Sequence, residues 1–191
     1  MSVNVGELAP DFELDCDDGQ RISLGNYAGG WLVLYFYPRD NTPGCTREAE
    51  GFSAAVADLE ALGAAVVGVS RDSVKTHCTF RDKVGITFPL LSDPDLTVHK
   101  AYGAWGSKTM YGKKVEGTIR STFLVDPDGR VAKAWGGVKV DGHVAKVMAA
   151  LVEQTGKVAG TPPKKASKKA PTTPAKKSAG ASAKKLPTAR K

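Results

Sequence analysis

The chain has 191 residues, 41% of them hydrophobic, with 27 Lys and Arg against 20 Asp and Glu, which is room for one globular domain and an appendage. The positive excess sits in residues 157–191, which hold ten Lys, one Arg and no acid, while the residues before them carry 16 basic and 20 acidic groups, a net −4. That asymmetry excludes a uniformly basic nucleic-acid-binding body; residues 1–8 show no secretory leader, and the longest apolar run, 31–37, is too short to cross a bilayer.

In chain order, the first cysteine, Cys16, follows a strand-like stretch inside Asp15-Cys-Asp-Asp-Gly19. Its neighbouring carboxylates disfavour a thiolate, so it reads as a bystander. Residues 31–37 are continuously apolar and aromatic and stop at Pro38, the pattern of a strand buried on both faces and central in its sheet. Ala49, Phe52, Val56, Leu59 and Leu62 recur at spacings of three and four, predicting a helix over 43–62 that ends at Gly63. A second buried strand follows over 64–70. Asp72 or Ser73 caps a helix that runs to Val84 and is stopped by Gly85. Beyond Phe88-Pro-Leu-Leu91 the sequence predicts a short helix over 94–102, a strand over 118–125, a tight turn at Asp126-Pro-Asp-Gly129, a strand over 131–135 and a closing amphipathic helix over 142–154. The fold class expected is α/β, a mixed β-sheet flanked by helices.

Every hydrophobic period is lost near residues 155–158. The expected organisation is therefore one domain over 1–156 and a disordered Lys/Ala/Pro/Ser tail over 157–191, with Lys doublets starting at 164, 168, 176 and 184. Such a tail is either a weak arm for nucleic acid or an anionic surface, or a solvating extension without a partner. The cysteine count is odd and contains no CxxC pair, which argues against a secreted disulfide framework and a four-cysteine zinc site and points to a reducing cytoplasm. His77, His99 and His143 show no metal-ligand spacing.

The chemistry concentrates between the 31–37 strand and the helix after it. Cys45 falls in that helix's first turn, where unpaired N–H groups and the helix dipole favour a thiolate. Thr42 lies three residues before it with a hydroxyl able to bond the sulfur or an oxygen bound to it, and Pro43 and Gly44 let the chain turn closely against a small substrate.

The stretch Tyr35-Phe-Tyr-Pro38-Arg-Asp-Asn-Thr42-Pro-Gly-Cys45-Thr-Arg-Glu48-Ala resembles the active-site segment of the bacterioferritin-comigratory, or peroxiredoxin Q, peroxiredoxins. Ala9-Pro-Asp-Phe12, Val69-Ser-Arg-Asp-Ser73, Phe88-Pro-Leu-Leu-Ser-Asp93 and Arg120-Ser-Thr-Phe-Leu-Val-Asp126 fit the same family, so the likeness spans about residues 3–154. It implies a thioredoxin-like fold that reduces hydrogen peroxide and organic hydroperoxides through a peroxidatic cysteine, Cys45, without metal or organic cofactor. Thr42, the amides of Gly44 and Cys45, and Arg120 are the implied donors around the reacting oxygens. Glu48 matches the family's acid that orients the Arg and Thr, and Pro38 shields the site. Trp105, Met110 and Tyr111 match family elements in a Gly-rich loop and either floor the peroxide pocket or simply pack.

Oxidation leaves Cys45 as a sulfenic acid that a second thiol must reduce. The family's resolving cysteine five residues on is replaced here by Glu50, and its other usual place corresponds to Arg81. Cys78 shares a helix face with that position, so it is the candidate resolving thiol, after local unwinding of the Cys45 helix. A one-Cys mechanism with an external thiol stays open. The resemblance also implies thioredoxin, or a similar dithiol, as reductant and a monomeric enzyme. The rivals are a thioredoxin-like disulfide oxidoreductase and a nucleic-acid-associated protein acting through its tail.

Overall fold

The computed structural model describes residues 3–110 and 113–156. The chain opens with β1 (Glu13–Cys16), β2 (Arg21–Ser23) and a 3₁₀ turn, then β3 (Trp31–Phe36), α1 (Pro43–Ala61), β4 (Ala64–Ser70), α2 (Val74–Val84) and β5 (Leu90–Ser92). A short α3 (Thr97–Ala101), β6 (Trp105–Met110), β7 (Lys113–Thr118), β8 (Ser121–Val125), β9 (Val131–Gly136) and α4 (His143–Thr155) complete it. Among the described residues, seven strands form one mixed sheet in the order β2-β1-β5-β4-β3-β8-β9, while β6 and β7 pair separately. The parallel pairs β3/β4 and β4/β5 are those joined through helices, as two-sided burial requires.

β3 is interior to the sheet because both its faces are apolar. Val33 and Tyr35 enter the core beneath α1, α2 and α4, with Phe52, Phe80 and Leu151, whereas Leu32, Leu34 and Phe36 enter the opposite core with Val98, Tyr102 and Phe123. On the neighbouring β4, Gly68 leaves room for Tyr35: a Cβ there would lie 2.8 Å from the Tyr35 hydroxyl. The caps also match the sequence. Ser73 accepts the Thr76 amide at the start of α2, and Gly85 ends that helix at φ 74°.

Four expectations are corrected. The short helix covers only Thr97–Ala101, because Asp93 accepts the amides of Thr97 and His99 and the chain enters through Leu96 at φ 60°. The strand expected over 118–125 is interrupted at Ile119 and Arg120, where the chain leaves β6 as partner and joins β3 and β9 instead. Trp105 and Met110 lie in β6 rather than in a loop, and Tyr111 lies outside the described residues. Cys16 ends β1 rather than following it, paired with Leu91. The basic tail, 157–191, also lies outside the described residues.

Candidate active site

β3 delivers the chain to the site. The Tyr37 amide still bonds the Val69 carbonyl, after which half-buried Pro38 leads into a loop that turns at Asn41, φ 57°, and reaches α1. Thr42 is the N-cap and Pro43 the first helical residue, so Cys45 is the third. The helical ladder starts with the Thr46 amide on the Thr42 carbonyl at 2.9 Å, which puts the Gly44 and Cys45 amides ahead of it.

Cys45 is 1% exposed, and the Arg120 Nη2 donates to its Sγ at 3.2 Å. The Nη1 of the same guanidinium pairs with Glu48 Oε2. Glu48 follows Cys45 by three residues, which places both on one helix face toward Arg120. Arg120 comes from the two-residue interruption between β7 and β8, where its carbonyl accepts the Val138 amide. One cation thus serves a sulfur and a carboxylate. Burial opposes the charge on Arg120, but Glu48 and Cys45 outweigh it and raise its pKa. Burial pushes Glu48 up to about 7 against the pull of Arg120, and its Oε1 has no hydrogen-bond partner.

The Thr42 hydroxyl donates to the Arg39 carbonyl at 3.1 Å rather than to the sulfur, and its oxygen remains able to accept. Glu48 contacts Arg120 and not Thr42. Cys78 stands outside this cluster: half-buried on α2, it donates to the Asp17 carbonyl at 2.9 Å and is a free thiol, as are Cys45 and Cys16. Cys16 is fully buried, and its pKa is pushed up to about 12, first by burial and further by Asp17, whose carboxylate accepts its S–H at 3.0 Å. Arg81, one turn beyond Cys78, is ion-paired with Asp17.

The three histidines lie apart, on Asp40, on Asp93 and on Thr122. His143 is pushed down to about 4 by burial, Lys146 and Arg120, so it is neutral at pH 7. A buried chain of Tyr37, Asp40 and His77 beside the Cys45 loop was not singled out from the sequence. The available signal was Asp40 itself, a carboxylate between an apolar strand and a reactive helix.

The AhpC/TSA family model matches residues 5–134. The chain is 49% identical over 141 residues to peroxiredoxin Bcp of Xanthomonas campestris pv. campestris, covering 74% of this chain and 88% of that protein. It is 41% identical over 157 residues to peroxiredoxin Bcp of Bacillus subtilis, covering 82% of this chain and the whole of that protein. A solved structure of the X. campestris bacterioferritin comigratory protein, described for its alkyl peroxide reduction activity, superposes with a TM-score of 0.74 at 44% identity over 80% of this chain and 98% of that one. A cysteine-to-serine mutant of Xylella fastidiosa PrxQ gives a TM-score of 0.76 at 42% identity, covering 81% of this chain and 98% of the other.

Proposed function

This chain belongs to the AhpC/TSA family, and within it to the bacterioferritin-comigratory or peroxiredoxin Q peroxiredoxins, which are thiol peroxidases, and on that footing we propose that Cys45 carries its peroxidase chemistry. The observation that supports this most is the Arg120 guanidinium 3.2 Å from the Cys45 sulfur at the head of α1. The Cys45 thiolate attacks the terminal oxygen of the hydroperoxide. An S–O bond forms as the O–O bond breaks, the leaving oxygen takes a proton and departs as water or an alcohol, and the cysteine becomes a sulfenic acid. Arg120 and the Gly44 and Cys45 amides stabilise the negative charge that moves onto the leaving oxygen. Thr42 accepts the hydroperoxide O–H, Glu48 holds Arg120, and Pro38 limits water at the sulfur.

Cys78 then condenses with the sulfenic acid, forming the Cys45–Cys78 disulfide and releasing water. A dithiol such as thioredoxin reduces it. The two thiols are free and lie in different helices, Cys45 in the first turn of α1 and Cys78 in α2, and in this reading they meet by opening of the start of α1 and part of α2. No helix among the described residues is long and apolar enough to cross a membrane, and we place the enzyme in a reducing cytoplasm as a monomer, with its catalytic domain at 1–156. The tail, 157–191, is an additional polyanion-binding arm, its Lys doublets interspersed with small residues and Pro.

Peptide mapping under non-reducing conditions, after one equivalent of hydrogen peroxide is added to the reduced protein, tests the cycle. The expected product is an intrachain Cys45–Cys78 link, absent in Cys45→Ser. A Cys45 sulfenic or sulfinic acid with Cys78 still free would move resolution to an external thiol.

A further inference from the structure

Asp40 and His77 are 4% and 0% exposed and meet at 2.8 Å through Oδ2 and Nδ1. Both carboxylate oxygens are used, since Oδ1 accepts the Tyr37 hydroxyl at 2.8 Å. His77 Nε2 lies 3.2 Å from the Leu91 carbonyl, which can only accept, so that nitrogen carries a proton. The two side chains therefore form a buried pair joined by a short hydrogen bond.

What gives the pair a role is its position. Asp40 belongs to the loop that ends in Thr42 and Cys45, and His77 immediately precedes Cys78 on α2. The loop is tied a second time to the start of α2 by the Asp40 amide on Asp72 Oδ2 at 2.8 Å, with Ser70 donating to the same oxygen. The two segments that must move to join Cys45 and Cys78 are thus fastened together, each close to its own cysteine. While they stay fastened, the sulfenic acid waits, and a second hydroperoxide has time to oxidise it to the sulfinic acid.

We infer that the Asp40–His77 pair positions the two thiols apart and that its rupture sets the rate at which Cys78 resolves the Cys45 sulfenic acid. This rests on Cys78 being the resolving thiol. Asp40 and His77 do not touch the reacting atoms; they act through the segments they hold.

Two full-length variants test it. His77→Gln removes the imidazole, and Asp40→Asn keeps the shape and an acceptor for Tyr37 while giving the imidazole an amide partner in place of the carboxyl, so a folded variant is available should the first not fold. Quenched-flow mass spectrometry after a peroxide pulse separates loss of the Cys45 thiol from appearance of the disulfide. The expected result is an unchanged first oxidation with disulfide formation about tenfold faster, the scale of losing one buried hydrogen bond, and a higher peroxide concentration for half-conversion to sulfinic acid. Disulfide formation at the wild-type rate in folded variants, or both steps slowed together, would overturn it. Cys78→Ser in the same assay isolates the underlying reading: if thioredoxin-dependent turnover persists there, it is the assignment of Cys78 that fails.

Discussion

Replacing Glu48 by Gln separates the two things Arg120 does. The Glu48 side chain is 1% exposed and that of Arg120 14%, so their pairing is shielded from solvent. Burial nonetheless dominates, lifting the carboxyl from 4.5 to about 7. A folded-state pKa above the unfolded one means that the native state binds the proton more tightly. The associated stability is fully present below about pH 4.5 and is lost as the pH rises through about 7. At about 1.4 kcal/mol per pKa unit, the loss approaches about 3 kcal/mol across that window. Glu48→Gln cannot ionise and still offers Arg120 a carbonyl oxygen, so its stability falls less steeply. Urea unfolding of both reduced proteins at pH 5, 6, 7 and 8 measures this as a wild-type-minus-variant difference, in which the other titrating groups cancel. The same change leaves the guanidinium charge undivided, so the thiolate at Cys45 is favoured more and the rising limb of kcat/KM moves to lower pH. Stability curves that stay parallel, or a limb that moves to higher pH, would refute the argument.

Arg120→Met is expected to lower peroxidase activity by about 10²–10³, the usual scale for losing a donor at a developing oxyanion, and to leave Glu48 buried without its cation. Adding Glu48→Leu should restore the urea midpoint at pH 8 but not the activity, and recovery of both would mean that Arg120 serves only the fold. Truncation after Gly156 should leave kcat/KM unchanged while abolishing salt-sensitive retention on duplex DNA, and retention by the truncated chain would place the basic interaction elsewhere.

Strand β3 and helices α1, α2 and α4 were legible because their signals are local: a run of seven apolar or aromatic residues, a three-four spacing, a Ser cap and a terminal Gly. The break at Ile119 and Arg120 was not, since it arises from a change of strand partner, a property of the sheet rather than of the segment. Cys45, Arg120 and Glu48 were named from motif and resemblance, and the structure brings them together. The Thr42 hydroxyl was read as able to bond the sulfur or an oxygen bound to it; the first is not realised, because the Arg39 carbonyl three residues back takes its proton. The pairing of Asp40 with His77 was not legible because 37 positions separate them and the parallel placement of β3, β4 and β5 brings them together.

The two halves of the site differ in how firmly they are anchored. Arg120 directly precedes β8, which is paired on both sides, with β3 and β9, whereas Cys45 sits in the first turn of a helix, the part that frays most easily. In the proposed cycle, Arg120 keeps its place ahead of β8 when the sulfur leaves to meet Cys78. The returning cysteine then meets a guanidinium already in place, so recovery between turnovers depends on re-forming the opened parts of α1 and α2, with the amides at the head of α1, and not on repositioning Arg120.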